Sequence, residues 1–154
     1  MKRVKLVVAY DGTNYCGWQV QKNGETIESV LNRAIGELTG EEIHVMGSSR
    51  TDAGVHACGN VAVFDTEARM AADKFSYALN QRLPEDIRIQ DSCEVPADFH
   101  PRFQKTVKTY EYRILNREFP LPAYRFNSHF TYRKLDVERM RQAATNDRYT
   151  KLSA

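Results

Sequence analysis

The residues of this sequence best suited to chemistry lie in one loop, Ser48 to Ala57, which reads SSRTDAGVHA. Asp52 stands two residues after Arg50 and two before Gly54, between two segments with the pattern of strands. A guanidinium beside a carboxylate favours the ionised form and holds it in place, and Gly54 allows a tight turn. This pattern makes Asp52 a candidate functional site. The competing interpretation is a plain turn or helix-cap residue, since Asp-x-Gly is a common loop signal.

The segments around this loop alternate between strand and helix patterns. A strand pattern has a period of two residues and a helix pattern a period of 3.6. In order they predict a strand over Arg3–Tyr10, a helix over Ile27–Leu38 ended by Gly40, strands marked by Ile43 and Val45 and by Val61 and Val63, a helix capped by Asp73 and ended by Pro84, and a strand from Ile87. The order β-α-β-β-α-β predicts an α+β, ferredoxin-like fold, in which two helices cover one face of an antiparallel sheet.

The pattern restarts after residue 98. Thr106–Asn116 reads as a strand with Tyr110, Tyr112 and Ile114 on one face, a further strand is predicted over Phe126–Tyr132, and Asp136 is placed to cap a last helix. We therefore expect three parts. Residues 1–98 form a ferredoxin-like half that carries the candidate catalytic Asp52, 99–144 form the incomplete start of a second, similar half, and 145–154 form a polar tail.

Charge is divided unevenly along the chain. Residues 1–98 hold 10 Lys and Arg against 15 Asp and Glu, whereas residues 99–154 hold 12 against 5. The basic part also interleaves Lys105 and Lys108 with tyrosines, a mixture that suits RNA because bases stack on rings while cations meet phosphates. The alternatives are a solvated basic surface and tyrosines that are simply half-buried sheet residues.

Several protein classes are disfavoured. The apolar run Leu6–Ala9 is too short for a signal peptide or a membrane span. Three widely spaced cysteines fit reduced thiols in a cytoplasmic protein better than disulfides. No Cys or His spacing matches a metal site. We therefore expect a cytoplasmic location, no membrane association and no bound metal.

Four stretches together carry a family resemblance. They are RVKLVVAYDGTNYCGWQVQ from Arg3, GSSRTDAGVHA from Gly47, ALNQRLPEDI from Ala78 and FHPRFQKTVKTYEYRI from Phe99. In this order, over about residues 3–144, the sequence resembles the tRNA pseudouridine synthase A family. The resemblance implies isomerisation of uridine to pseudouridine in the anticodon stem-loop of tRNA, with no cofactor or metal and with a homodimer as the family's assembly.

The resemblance also implies residue roles. Asp52 matches the family's catalytic aspartate, the nucleophile. Arg50 matches the arginine that pairs with this aspartate and fills the gap left when the target uridine swings out. Tyr110 matches the tyrosine that contacts the flipped base. Lys105 and Lys108 are then expected to bind RNA phosphates.

The end of the sequence departs from the family. Family members continue into the rest of a larger sheet, whereas TNDRYTKLSA ends this chain. We therefore expect a truncated member that lacks one wall of the cleft and does not turn over repeatedly. Two other functions stay open, a non-catalytic RNA-binding module, which would bind tRNA without converting it, and an inert fragment, which would lack a cooperative thermal transition.

Overall fold

β1 (Lys2–Tyr10) is the strand around which the first part of the molecule is built. The computed structural model describes residues 1–145, and the chain divides into two units, one ending at Thr106 and one beginning at Val107. After β1, the first unit continues with α1 (Ile27–Thr39), β2 (Met46–Gly47), β3 (Ala57–Thr66), α2 (Phe75–Asn80) and β4 (Ile87–Val95). The predicted order of the α+β, ferredoxin-like unit is confirmed.

The four strands form one antiparallel sheet in the order β2-β3-β1-β4. Alternate residues of β1 are buried, as a strand with one face on a core requires; they are Val4, Leu6, Val8 and Tyr10. Across the ladder from Val8 lies Asn60 of β3. This is a polar residue on the core side of the sheet, and it lies close to the loop that follows β2.

Helix α1 covers the core face, as its sequence predicts. Thr26 caps its first turn, because its hydroxyl accepts from the Ser29 amide and the Ser29 hydroxyl accepts from the Thr26 amide. Gly40 ends the helix in a left-handed conformation with φ 75°. The residues that α1 buries are Ile27, Val30, Leu31, Ala34 and Ile35. The apolar face of α1 is therefore part of the hydrophobic core, and the candidate functional residues lie in the loops.

Two predictions about this unit are wrong in detail. Ile43 and Val45 are buried but lie before β2, because the Val45 amide donates to Oδ1 of Asn32 instead of to a neighbouring strand. Asp73 does not cap a long second helix. It lies in a short 3-10 turn, Ala72–Lys74, that has no side-chain cap, and its carboxylate pairs with Lys74 at 3.0 Å.

A strap over residues 96–105 fastens to the sheet at two places. Nη1 of Arg3 donates to the carbonyl of Phe99 at 2.9 Å, and Nε of Arg102 donates to the carbonyl of Gly47 at 3.0 Å. Pro101 within the strap is buried. Val63 on β3 is also buried, although it is not part of the main core.

The second unit contains β5 (Ile114–Asn116), β6 (His129–Thr131) and α3 (Val137–Thr145). β5 and β6 pair in parallel, and Oδ1 of Asp136 accepts from the Arg139 amide, so the predicted cap of the last helix is confirmed. Of the predicted strands over 106–116 and 126–132, only three residues each form a strand. Among the described residues, only these three pair with a neighbouring strand. The predicted polar tail lies, beyond Thr145, outside the described residues. None of the helices in residues 1–145 is long and apolar enough to cross a membrane.

Candidate active site

Asp52 is exposed at a tight turn in the loop between β2 and β3. The turn closes where the Val55 amide donates to the Asp52 carbonyl at 3.2 Å, and Gly54 takes φ 78° within it. A positive φ of this size costs an L residue about 1–2 kcal/mol, which glycine avoids. The sequence DAG therefore presents a carboxylate to solvent on a turn of defined geometry.

The loop rests on the segment that follows β1. The Trp18 amide donates to the Thr51 carbonyl at 3.0 Å, and the Gly54 amide donates to the Tyr15 carbonyl at 3.3 Å. A Cβ at Gly17, whose φ is 85°, would lie 2.6 Å from the Thr51 oxygen. The two backbones approach this closely only because residue 17 has no side chain.

A buried polar network lies beneath the first half of the loop. Tyr10 and Thr51 share a hydrogen bond of 2.7 Å between their hydroxyls. Asn60 donates to the Ser49 carbonyl at 3.1 Å and accepts from the Ser48 hydroxyl at 3.0 Å. Burial raises the pKa of the Tyr10 hydroxyl, so this group stays protonated and able to donate.

His56 fastens the far end of the loop. Its Nδ1 lies 3.1 Å from the Gly12 amide and 2.9 Å from Oδ1 of Asp11. Nδ1 accepts from Gly12 when it carries no proton and donates to Asp11 when it carries one, because one nitrogen cannot do both. A hydrogen bond from the Thr13 side chain, with a smaller contribution from His56, lowers the pKa of Asp11. Either protonation state thus ties the loop to the segment after β1.

The predicted pairing of Arg50 with Asp52 is wrong for this structure. Both side chains are exposed, and no ion pair joins them among the pairs found in residues 1–145. Exposed charges gain little by pairing, since water solvates each of them well. The loop is instead oriented by backbone hydrogen bonds and by the buried network, which sequence reasoning missed.

Arg102 is another residue near the loop that the sequence analysis did not single out. Its hydrogen bond to Gly47 fixes the strap at the residue immediately before the loop. One residue further along the strap, Phe103 stacks on His100, with ring centroids 4.0 Å apart, and its ring is 82% exposed. These residues belong to the sequence motif FHPRF, but only the structure shows that Nε of Arg102 binds the Gly47 carbonyl.

The remaining predicted residues lie further along the chain. Lys105 is exposed near the end of the first unit, and Lys108 and Tyr110 are exposed in the second unit. The Tyr110 side chain is 77% exposed in a segment without regular secondary structure. That Tyr110 and Asp52 face one cleft therefore stays a prediction.

Comparison with known proteins identifies the family. A family model described as tRNA pseudouridine synthase matches residues 6–104, which include the second half of β1, the Asp52 loop and most of the strap. The chain belongs to the tRNA pseudouridine synthase family. The match ends before Lys105, Lys108 and Tyr110, so the roles of these three residues rest on the motif resemblance alone.

Individual relatives extend further than the family model. The chain is 50% identical over 145 residues to tRNA pseudouridine synthase A of Acetivibrio thermocellus. It is 47% identical over 146 residues to the protein of that name in Thermoanaerobacter sp. strain X514 and 48% identical over 146 residues to that of Clostridium acetobutylicum. These alignments cover 93–94% of this chain and 59% of each relative. The chain thus spans somewhat more than half the length of these family members.

Proposed function

We propose that the Asp52 loop is the catalytic element of a tRNA pseudouridine synthase that acts on uridines of the anticodon stem-loop. The observation that carries this proposal is an exposed carboxylate on a turn whose backbone is held by Trp18 and Tyr15. Family membership supplies the reaction, and the loop supplies a carboxylate that is reachable and pre-positioned. At residues 51 and 52 the backbone carbonyls accept the hydrogen bonds of Trp18 and Val55, and the exposed carboxylate of Asp52 can be reached by a substrate.

The reaction is an isomerisation and needs no added atoms. The C1′–N1 bond of uridine breaks, the uracil turns while it stays bound, and a C5–C1′ bond forms. C5 then loses its proton and N1 gains one, so atoms and electrons balance without a cofactor. Asp52 acts as the nucleophile toward the nucleoside, a role that requires an ionised and oriented carboxylate.

The target uridine must leave the RNA stack before Asp52 can reach it, at a cost of a few kcal/mol. In this proposal Arg50 occupies the vacated space, which suits a long side chain that makes no ion pair with Asp52. Tyr110 stacks on the displaced uracil, which suits an exposed ring. Lys105 and Lys108 contact RNA phosphates. A cytoplasmic location, which the three widely spaced cysteines favour, and a homodimer, which the resemblance implies, complete the proposal.

The test is an assay with the chain in excess over unmodified tRNA, so that a single conversion per molecule is detected. Pseudouridine is mapped by chemical labelling and primer extension, and tRNA affinity is measured in parallel. The same assay is run on a hybrid in which residues 1–145 replace the matching part of the Acetivibrio relative. We expect Asp52→Asn to lower conversion by several orders of magnitude and to keep tRNA affinity within about tenfold.

Two results would contradict the proposal. Conversion by Asp52→Asn at the parental rate would remove Asp52 from the chemistry. Salt-dependent tRNA binding without any conversion, in the chain and in the hybrid alike, would favour the non-catalytic RNA-binding module. Arg69→Gln is a matched control, because Arg69 is a charged residue distant in sequence from the loop, and the proposal gives it no role.

A further inference from the structure

The buried network beneath the loop connects one core-side residue, Asn60, to three residues of the segment before Asp52, namely Ser48, Ser49 and Thr51. Asn60 accepts from the Ser48 hydroxyl and donates to the Ser49 carbonyl. It also lies 3.5 Å from the Tyr10 hydroxyl, which in turn reaches the Thr51 hydroxyl at 2.7 Å. Because the Asn60 amide donates to the Tyr10 oxygen, the Tyr10 hydroxyl proton can be donated to Thr51.

The position of Asn60 is unusual for a polar residue. It is 6% exposed and shares the core face of β3 with the buried residues Ala62 and Phe64. An apolar side chain there would serve the sheet better, because a buried amide stabilises nothing unless all its hydrogen bonds are made. Two of its three partners, Ser48 and Ser49, belong to the loop, and the third, Tyr10, holds the loop at Thr51. The chemistry of residue 60 therefore points to the loop and not to the sheet.

We propose that Asn60 and Tyr10 are positioning residues, which fix residues 48–51 and thereby the carboxylate of Asp52 in its working place. The inference rests on the proposed function of Asp52. Arg50 and Asp52 are exposed, and the residues that flank Arg50 are both tied down, Ser49 through its carbonyl and Thr51 through its hydroxyl and carbonyl. A displacement of about 1 Å is enough to slow an enzyme about 100-fold, so this anchoring sets the rate without contact with substrate.

The matched pair of variants is Asn60→Leu and Asn80→Ala. Asn80 also uses its amide on backbone, donating to the Ile89 carbonyl and accepting from the Ile89 amide, both at 2.8 Å, but it lies on α2. Each variant thus removes one asparagine from one local network. Differences between the two variants therefore report the network beneath the loop and not the general loss of an asparagine side chain.

The first readout is residue-resolved hydrogen exchange of the chain, which needs no activity. The Trp18 amide reports the Thr51 carbonyl and the Val55 amide reports the Asp52 carbonyl. We expect Asn60→Leu to speed exchange at both amides about tenfold or more and to leave the Ile89 amide unchanged. Asn80→Ala should speed only Ile89.

Tyr10→Phe keeps the proposal testable if Asn60→Leu does not fold. It removes one hydroxyl and keeps the ring in the core, where the ring lies 5.9 Å from that of Trp18. It should speed the Trp18 amide several-fold. Combined with Thr51→Val, it should add little to either single change, because both variants remove the same hydrogen bond.

The second readout is the single-turnover rate with tRNA. Asn60→Leu should slow conversion about 100-fold, with tRNA affinity within about twofold of the parent, whereas Asn80→Ala should convert at the parental rate. If neither the unmutated chain nor the unmutated hybrid converts tRNA, the proposed function has failed. The hydrogen-exchange data still decide whether Asn60 and Tyr10 anchor the loop. Parental exchange at Trp18 and Val55 in Asn60→Leu and Tyr10→Phe would overturn the inference and leave Asn60 as a core residue.

Discussion

The two units of this chain use the same residue types in opposite ways. In the first unit the aromatic residues nearest the candidate site, Tyr10, Tyr15 and Trp18, are all buried. In the second unit Tyr110 and Tyr112 are exposed. A buried ring supports a backbone, whereas an exposed ring can meet a ligand. This difference agrees with the proposal above, in which the first unit positions Asp52 and Tyr110 of the second unit stacks on the displaced uracil.

The largest effect on the first unit is expected from Gly17→Ala. The new Cβ would meet the Thr51 carbonyl oxygen at 2.6 Å, and φ is 85° there. We expect a loss of about 2–4 kcal/mol in the free energy of unfolding, measured by urea denaturation. Gly54→Ala is the matched control, because φ is 78° but nothing lies within 4 Å. It should cost only about 1–2 kcal/mol, and equal losses would show that the loop does not rest on residue 17.

A comparably direct test of the second unit is Tyr110→Ala. Because the ring is exposed, its removal should leave the unfolding midpoint unchanged and weaken tRNA binding by about 1–3 kcal/mol through lost stacking. Tyr110→Phe should keep that affinity, and a slower conversion in it would assign proton transfer to the hydroxyl. Parental binding and conversion in both variants would remove Tyr110 from the site.

A smaller effect is expected when Lys105 and Lys108 are both replaced by Ala. Each phosphate contact contributes up to about one unit to the slope of log affinity against log salt. The double variant should bind tRNA more weakly and with a shallower slope, and should modify the same uridines. The result that contradicts a phosphate role is a slope equal to that of the parent.

The smallest effect concerns Arg3, which pairs with Asp65 and also donates to the Phe99 carbonyl of the strap. A hydrogen bond from Arg3 lowers the pKa of Asp65, so the pair stabilises the fold fully above the unfolded carboxyl pKa of about 3.9. That stabilisation is lost as the pH falls further, through the lower pKa of the folded state. Thermal melts of the parent between pH 5 and 2, in steps of about one unit, should therefore fall more steeply than those of Asp65→Asn. Parallel curves would show that the pair does not support the strap.

The sequence predicts whatever depends on local pattern. The stripe of α1 with its stop at Gly40, the alternation of β1 and the place of the Asp52 loop are all local, and the structure confirms them. The resemblance predicts the family, because motifs such as RTDAGVHA are long and specific.

The missed features depend on contacts between distant residues. Val45 is not part of β2, because its amide donates a hydrogen bond to the side chain of Asn32, 13 residues earlier. Arg50 is adjacent to the loop turn and was expected to orient Asp52, but the orienting groups come from β1, β3 and the segment around Gly17. Asn60 carried one readable signal, a polar residue in a core-facing register, which becomes visible only once the pairing of Val8 with Asn60 is known.

The central claim is that the first unit by itself fixes the loop that carries Asp52. Hydrogen exchange along the whole chain tests it most directly. We expect the amides of Trp18 and Val55 to exchange as slowly as those of β1 and α1, and the amides from about Thr106 to Thr145 to exchange much faster. Fast exchange at Trp18 and Val55, at the rate of the second unit, would contradict the claim and show that the loop is ordered only by a partner or by substrate.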